Sequence, residues 1–246
     1  MDASLAGKVA LVVGASRGVG RAYALGLAAA GAQVVAVARR VMPVEGRTTS
    51  LKEVMEAGRG HGPPILGLGA DVSRKEDVQR VVDEALAHFG RIDILLYNAM
   101  AAGLSDALEV PDEHWERVLT MNVKVPYSFI QRVAPQMMAR RSGAIILMSS
   151  KTSLAVPHDD PGHKGLLAYG TSKAGLNRIA TYFSEELKPY NIAVNVLSPG
   201  MVRELAGGKT PTPEQFAPPV LYLARQTAET MTGQWRNTTD YGVNWP

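Results

Sequence analysis

The chain has 246 residues, 46% of them hydrophobic and 20% charged, with a formal net charge of +3. That length suits one α/β domain spanning 1–246 around a single extended core, and the composition is that of an ordinary globular protein. Cysteine is absent, which excludes disulfides, thiolate metal sites and a cysteine nucleophile, and suits a cytoplasmic location without deciding it. No lysine or arginine run exceeds two residues, so there is no stripe for nucleic acid. Met1 to Lys8 holds no apolar stretch of signal-peptide length, and the most membrane-like segment, 22–38, is interrupted by Gly26, Gly31 and Gln33, so no membrane association is expected.

In chain order, short apolar runs alternate with longer helical patterns. Strands are predicted at 9–13, 34–38, 65–68, 92–97, 144–148 and 193–197, with a last short one near 234–239. Helices are predicted at 18–30, 50–57, 74–89, 112–140, 167–188 and 213–226. The alternation argues for repeated βαβ units, and the Val/Ile/Leu-rich runs for a mainly parallel sheet covered on both faces. Ser73-Arg-Lys-Glu76 and Thr212-Pro-Glu-Gln215 read as capping boxes. Arg140-Arg141 followed by Gly143 suits a helix C-terminus. Pro218 and Pro219 predict a kink or a later start in the last helix. The irregular stretches 39–49, 58–64, 156–167 and 199–212 adjoin strand ends, where such sheets bind ligands.

The first strand runs into Gly14-Ala-Ser16-Arg17-Gly18-Val19-Gly20. Glycines there permit positive φ and a close approach of backbone amides to a pyrophosphate, with a helix N-terminus behind them. Read alone, the turn fits equally a tight turn with close helix–sheet packing. Farther on come Asp71, Asn98, Asn122, Ser150, then Tyr169 and Lys173 four residues apart on one helical face, and Pro199-Gly200. A phenol of ordinary pKa is a poor acid–base catalyst at neutral pH, and a nearby ammonium is a reasonable means of lowering it.

This ordered set resembles the short-chain dehydrogenase/reductase family, from Gly7-Lys-Val to Thr232-Gly-Gln234. The resemblance implies a single-domain Rossmann-type, doubly wound sheet of about seven strands. It implies a cofactor site made by Gly14, Ser16, Arg17, Gly18, Val19 and Gly20 at the phosphates, Asp71 and Val72 at the adenine, Asn98 and Ala99 beside the cofactor, and Pro199, Gly200 and Val202 near the nicotinamide. It assigns Tyr169 as acid/base, its pKa lowered by Lys173 together with the positive nicotinamide of the oxidised cofactor, Lys173 also as ribose ligand, Ser150 as the donor to the substrate oxygen, and Asn122 as the anchor of a water relay to Lys173. The activity implied is hydride transfer between a nicotinamide cofactor and a carbonyl or secondary alcohol. A homotetramer or homodimer through the helices around 112–140 and 167–188 is also implied.

The nucleotide is argued from charge. The end of the second strand reads Ala36-Val-Ala38-Arg39-Arg40 with no acid until Glu45. An acid there would accept ribose hydroxyls, whereas arginine accommodates a 2′-phosphate, so Arg39, Arg40 and Arg17 predict NADP(H). No metal site is expected, because the five histidines form no helical pair and His158-Asp-Asp160 reads more simply as a solvated loop.

Several positions depart from the family pattern. Val13 replaces the usual threonine, Tyr97 and Met100 replace the outer residues of Asn-Asn-Ala-Gly, and Glu204 stands where a threonine usually meets the carboxamide. The interval from Ser150 to Tyr169 is long and the segment after Gly200 is short. The extra residues, 156–167 with Pro157, His158, Asp160 and His163, are expected either to cover part of the cleft or to form a surface loop. These departures keep a second reading open, a catalytically silent NADP-binding or scaffold protein.

Overall fold

The computed structural model describes residues 5–43, 49–154 and 165–245. Seven strands form one sheet: β1 (Val9–Val13), β2 (Gln33–Ala38), β3 (Leu66–Gly69), β4 (Ile94–Tyr97), β5 (Gly143–Met148), β6 (Ile192–Ser198) and β7 (Trp235–Asn237). Their order is β3-β2-β1-β4-β5-β6-β7, and every pairing is parallel. The helices are α1 (Gly18–Ala29), α2 (Leu51–Gly58), α3 (Lys75–Phe89), α4 (Asp112–Leu119), α5 (Val125–Arg140), α6 (Leu167–Glu186), the four-residue α7 (Val202–Leu205) and α8 (Pro213–Ala224).

Side chains alternate across each strand, which divides the core in two. On one face Ala10, Val12, Val34, Ala36, Leu96 and Ile146 pack against Leu27 of α1 and Phe216 and Val220 of α8. On the other, Leu11, Val13, Val35, Leu95 and Leu147 meet Val81 of α3, Phe129 and Val133 of α5, and Leu176 of α6. Burial on both faces explains the unbroken apolar runs in β1 and β2. The chain leaves β1 for β2 on one side and returns to β4 on the other, so a crevice opens between the C-terminal ends of β1 and β4.

Several local expectations were met differently. Ser73-Arg-Lys-Glu76 forms no capping box: α3 starts after Arg74, which makes no side-chain cap. Ser73 instead donates its hydroxyl (2.7 Å) and amide (3.2 Å) to Asp71. This two-residue turn competes with the cap for the same hydroxyl. Thr212 likewise caps α8 without a side-chain bond. The capping box that does form is Ser50–Glu53 at α2, with a hydroxyl oxygen accepting from the Glu53 amide and the Glu53 carboxylate accepting from the Ser50 amide at 2.8 Å. The last helix begins at Pro213 and keeps Pro218 and Pro219 inside it, so there is no later start. Arg141 ends α5 in the left-handed conformation, as its position before Ser142-Gly143 suggested.

The region read as one helix, 112–140, is interrupted. Thr120–Lys124 forms a π turn, in which the Val125 amide donates to the Thr120 carbonyl. An ordinary helix would send that amide to Met121. Pro126, one position on, has no N–H. The Met121 carbonyl therefore has no donor in its own helix, and the Tyr97 hydroxyl at the end of β4 supplies one at 2.5 Å.

Candidate active site

At the mouth of the β1/β4 crevice, the turn leaving β1 is set by contacts only glycine permits. Gly14 has φ +89°, and a Cβ on it would stand 2.6 Å from the Ala99 nitrogen. A Cβ on Gly20 would overlap the Gly14 carbonyl oxygen and the Asn98 side chain. Asn98 donates its Nδ2 to that carbonyl at 3.0 Å, and the amides of Asn98 and Ala99 both donate to Val13 at 2.9 Å. The glycine turn and the end of β4 are thus one locked unit. Arg17, the N-cap of α1, makes no side-chain capping bond, which leaves the first amides of the helix to a ligand. A pyrophosphate fits this cradle: tight backbone, no Cβ in the way, and the positive end of a twelve-residue helix.

The outer rim carries the residues expected to select the nucleotide. The amides of Gly14 and Ala15 donate to Val37, bringing the loops after β1 and β2 side by side. Arg17 and Arg39 are exposed there. Arg40 turns inward instead, donating Nη1 to the Thr49 carbonyl (3.1 Å) and hydroxyl (3.2 Å). Asp71 and the buried Val72 lie just beyond β3, tied to β2 through the Ala70 amide and the Ala38 carbonyl. Glu45, the insertion residues Pro157, His158, Asp160 and His163, and the Glu204 side chain lie outside the described residues.

Across the crevice a cleft of about 200 Å³ is lined by Val19, Asn98, Met100, Met148, Ser149, Ser150, Tyr169, Lys173, Pro199, Gly200 and Val202. Five parts of the fold converge here: the first turn of α1, the segment after β4, the end of β5 with the turn after it, the first two turns of α6, and the segment after β6. Gly200, with φ +72°, bends the chain after β6 so that Val202 joins the wall.

Asn122 sits fully buried. Its Oδ1 accepts from the Ala101 amide (2.9 Å), and its Nδ2 donates to the Ala101 carbonyl (2.8 Å) and to Ser172 Oγ (2.9 Å). Ser172 in turn donates to the Tyr169 carbonyl at 2.6 Å. One amide side chain thus clamps the segment after β4 to the helix bearing Tyr169 and Lys173. The π turn is what brings it inward.

Lys173 is 1% exposed, and its Nζ donates to the Met148 carbonyl at 2.7 Å. Burial pulls its pKa down to about 7, because a charged amine in an apolar surround loses hydration. Nζ lies 5.6 Å from the centre of the Tyr169 ring. Burial also pushes the Tyr169 phenol above its usual range, while a hydrogen bond with Ser150 acts in the opposite direction. Among the chain's own groups acting on this phenol, loss of solvation is the largest influence; the lysine and the cationic ring of an oxidised nicotinamide would act together in the opposite direction. The Tyr169 hydroxyl donates to Met100 Sδ at 3.7 Å.

A glycine cradle at the switch point of a parallel sheet, next to a cleft holding Ser150, Tyr169 and Lys173, is a Rossmann-type arrangement. A family model for short chain dehydrogenases matches residues 8–212. The chain is 30% identical over 247 aligned positions to the 3-oxoacyl-acyl-carrier-protein reductase FabG of Thermotoga maritima, covering 94% of this chain and 95% of that one. It is 28% identical to the 2-dehydro-3-deoxy-D-gluconate 5-dehydrogenase of Escherichia coli, covering 94% and 93%. The crystal structure of a metagenomic short-chain oxidoreductase in complex with NADP superposes with a TM-score of 0.79 at 31% identity, over 95% of this chain and 98% of that one. The chain belongs to the short-chain dehydrogenase/reductase family, a family of oxidoreductases.

Two features outside the predicted set carried sequence signals. Ser50-Leu-Lys-Glu53 is a capping box in plain view, and Pro126 in mid-helix hinted at the irregular turn. The partnership of Tyr97 with Met121, 24 residues apart, had none.

Proposed function

We propose that this chain is an NADP(H)-dependent oxidoreductase that interconverts a carbonyl and a secondary alcohol, with Tyr169 as the proton donor and acceptor. The observation that carries this reading is one cleft holding the Tyr169 phenol, Ser150 and the buried Lys173 beside the glycine cradle. Gly14, Gly18, Gly20 and the amides of α1 would hold the pyrophosphate. Arg39 and Arg17 favour a 2′-phosphate, Asp71 and Val72 the adenine, and Pro199, Gly200 and Val202 the nicotinamide end. Bound there, the reduced nicotinamide would supply the hydride.

The remaining work falls to the chain. Ser150 would donate to the substrate oxygen, and Tyr169 would protonate it as negative charge develops. A phenol held above its usual pKa by burial is protonated throughout the physiological range, which suits Tyr169 to giving a proton in the reductive direction and recovering it in the oxidative one. Lys173 would reach the nicotinamide ribose. Asn122 spends its side chain on Ala101 and Ser172, so its part in a water relay falls to its backbone carbonyl. Pro126, one turn on, has no N–H to offer that carbonyl.

By the family resemblance we place the protein in the cytoplasm as a homotetramer or homodimer, acting on a small-molecule substrate through one domain spanning 1–246. The relatives are named for a 3-oxoacyl-acyl-carrier-protein and for 2-dehydro-3-deoxy-D-gluconate, and both names denote oxo compounds. The test is NADPH oxidation across a panel of ketones, quinones and sugar-like carbonyls. We expect turnover with NADPH preferred over NADH. Tyr169→Phe should lower it by at least about 100-fold, the usual scale of general acid catalysis, while NADPH binding persists. Tight NADPH binding with no turnover of any carbonyl would favour the scaffold reading.

A further inference from the structure

Met100 occupies a place in the cleft that the proton-transfer chemistry does not require. The backbone on either side of it is fixed. Asn98 and Ala99 donate to the Val13 carbonyl, and Ala101 is held at both its amide and its carbonyl by Asn122. A fixed backbone cannot carry the side chain away, so the side chain projects into the cleft. It is 52% exposed, and its sulfur accepts from the Tyr169 hydroxyl.

A substrate oxygen must come within about 2.6–3.2 Å of that hydroxyl to receive its proton. The thioether already touches the same oxygen, so substrate and sulfur compete for the space around it. Met100 has to swing aside or pack along the flank of the substrate. Its three rotatable bonds allow either, yet the volume it occupies remains within the cleft.

We propose that Met100 is a specificity-determining residue, whose thioether fills the space beside the Tyr169 hydroxyl and limits the bulk a carbonyl substrate can carry on that side. This rests on the carbonyl–alcohol reading above. It goes further by locating the selection in one side chain on a braced loop, where glycine would leave open space. Met100→Gly removes the filler, whereas Met100→Leu nearly conserves its volume.

The experiment compares acetophenone with isobutyrophenone, which is larger by two methyl groups beside the carbonyl, in the NADPH-bound enzyme. In Met100→Gly the ratio of kcat/KM for the larger to the smaller ketone should rise by about 10-fold or more, the scale set by one or two hydrocarbon groups in a pocket. The change should lie in KM, with a lower value for isobutyrophenone and a higher one for acetophenone. Met100→Leu should restore the wild-type ratio. An unchanged ratio in Met100→Gly overturns the proposal.

A second measurement needs no turnover. The tyrosinate absorbance of Tyr169, taken as the difference from Tyr169→Phe, should titrate at lower pH in Met100→Gly, because the phenol loses cover and regains solvent. Among the described residues lining the cleft, Lys173 is the other titratable group, and every variant keeps it. An unmoved midpoint means that Met100 does not cover the phenol, and the proposal falls. Failure of the carbonyl reading is distinct from either result, since it appears as NADPH binding without turnover of any carbonyl, whatever stands at position 100.

Discussion

At the scale of single residues, the site is governed by what burial does to two titratable groups. Among the described residues no carboxylate is bonded to Lys173; its amine donates to the Met148 carbonyl, and its pKa falls from an ordinary 10.5 to about 7. Between those values the unfolded chain holds a proton that the folded one has released. Raising the pH through this window therefore favours the folded state, and lowering it toward 7 removes stability. The wild-type protein should gain stability from about pH 7 to pH 10, and Lys173→Met should flatten that slope. Urea denaturation of both proteins across this range checks it; equal slopes would mean that the amine remains charged when folded. Lys173 was legible from its spacing to Tyr169, but its direction was not. Only the packing of α6 against the end of β5 turns the amine toward a carbonyl.

Among the elements, the π turn of Thr120–Lys124 has the largest consequences for the site. It carries Asn122 inward, and it leaves the Met121 carbonyl without an intrahelical donor. Tyr97 answers that need from β4, its hydroxyl buried and its pKa pushed upward by desolvation, so the group stays protonated and donates. Replacing Tyr97 by Phe keeps the ring against Phe129 and removes only the hydroxyl. The buried carbonyl would then cost about 1–3 kcal/mol. Chemical denaturation should show that loss, with kcat also reduced because Asn122 rides on the same turn. A Tyr97→Phe protein of wild-type stability would show that solvent or a shifted helix replaces the bond. The seven strands and most helix limits could be read from apolar periodicity, because burial on both faces of the sheet writes itself into consecutive residues. The π turn could not, since its cause is divided between Pro126 and a tyrosine on another strand.

On the scale of the whole molecule, chemistry and stability occupy opposite ends of the sheet. The cleft lies at the C-terminal ends of β1, β4 and β5. At the N-terminal ends, Asp93 is 2% exposed and accepts from the Val9 amide at 2.9 Å and from the Arg91 guanidinium, with Arg140 3.7 Å away. The same Arg140 donates to the Ile92 carbonyl at 2.9 Å, and Gln136 donates to it as well. This node fastens β1, β4 and α5 where no ligand is expected. Asp93→Ala would leave the buried Val9 amide without its acceptor, while Arg91 and Arg140 remain partly solvated, and should destabilise the fold by about 1–3 kcal/mol. NADPH affinity of the folded fraction should stay unchanged; binding weakened in step with stability would mean that the two ends of the sheet are coupled.

The sequence by itself determined the parallel sheet, the glycine cradle and the shared helical face of Tyr169 and Lys173, while Ser150 joined them through the family resemblance. Each rests on a local rule: two-sided burial makes apolar runs, a close backbone approach demands glycine, and four residues make one helical turn. The tertiary structure alone decided the electrostatic state of the phenol and the amine, the diversion of Arg40 to Thr49 and of Ser73 to Asp71, and the bracing of Asn122 and Tyr97. Those outcomes depend on desolvation and on partners distant in the chain. Neither leaves a mark on the residue that feels it.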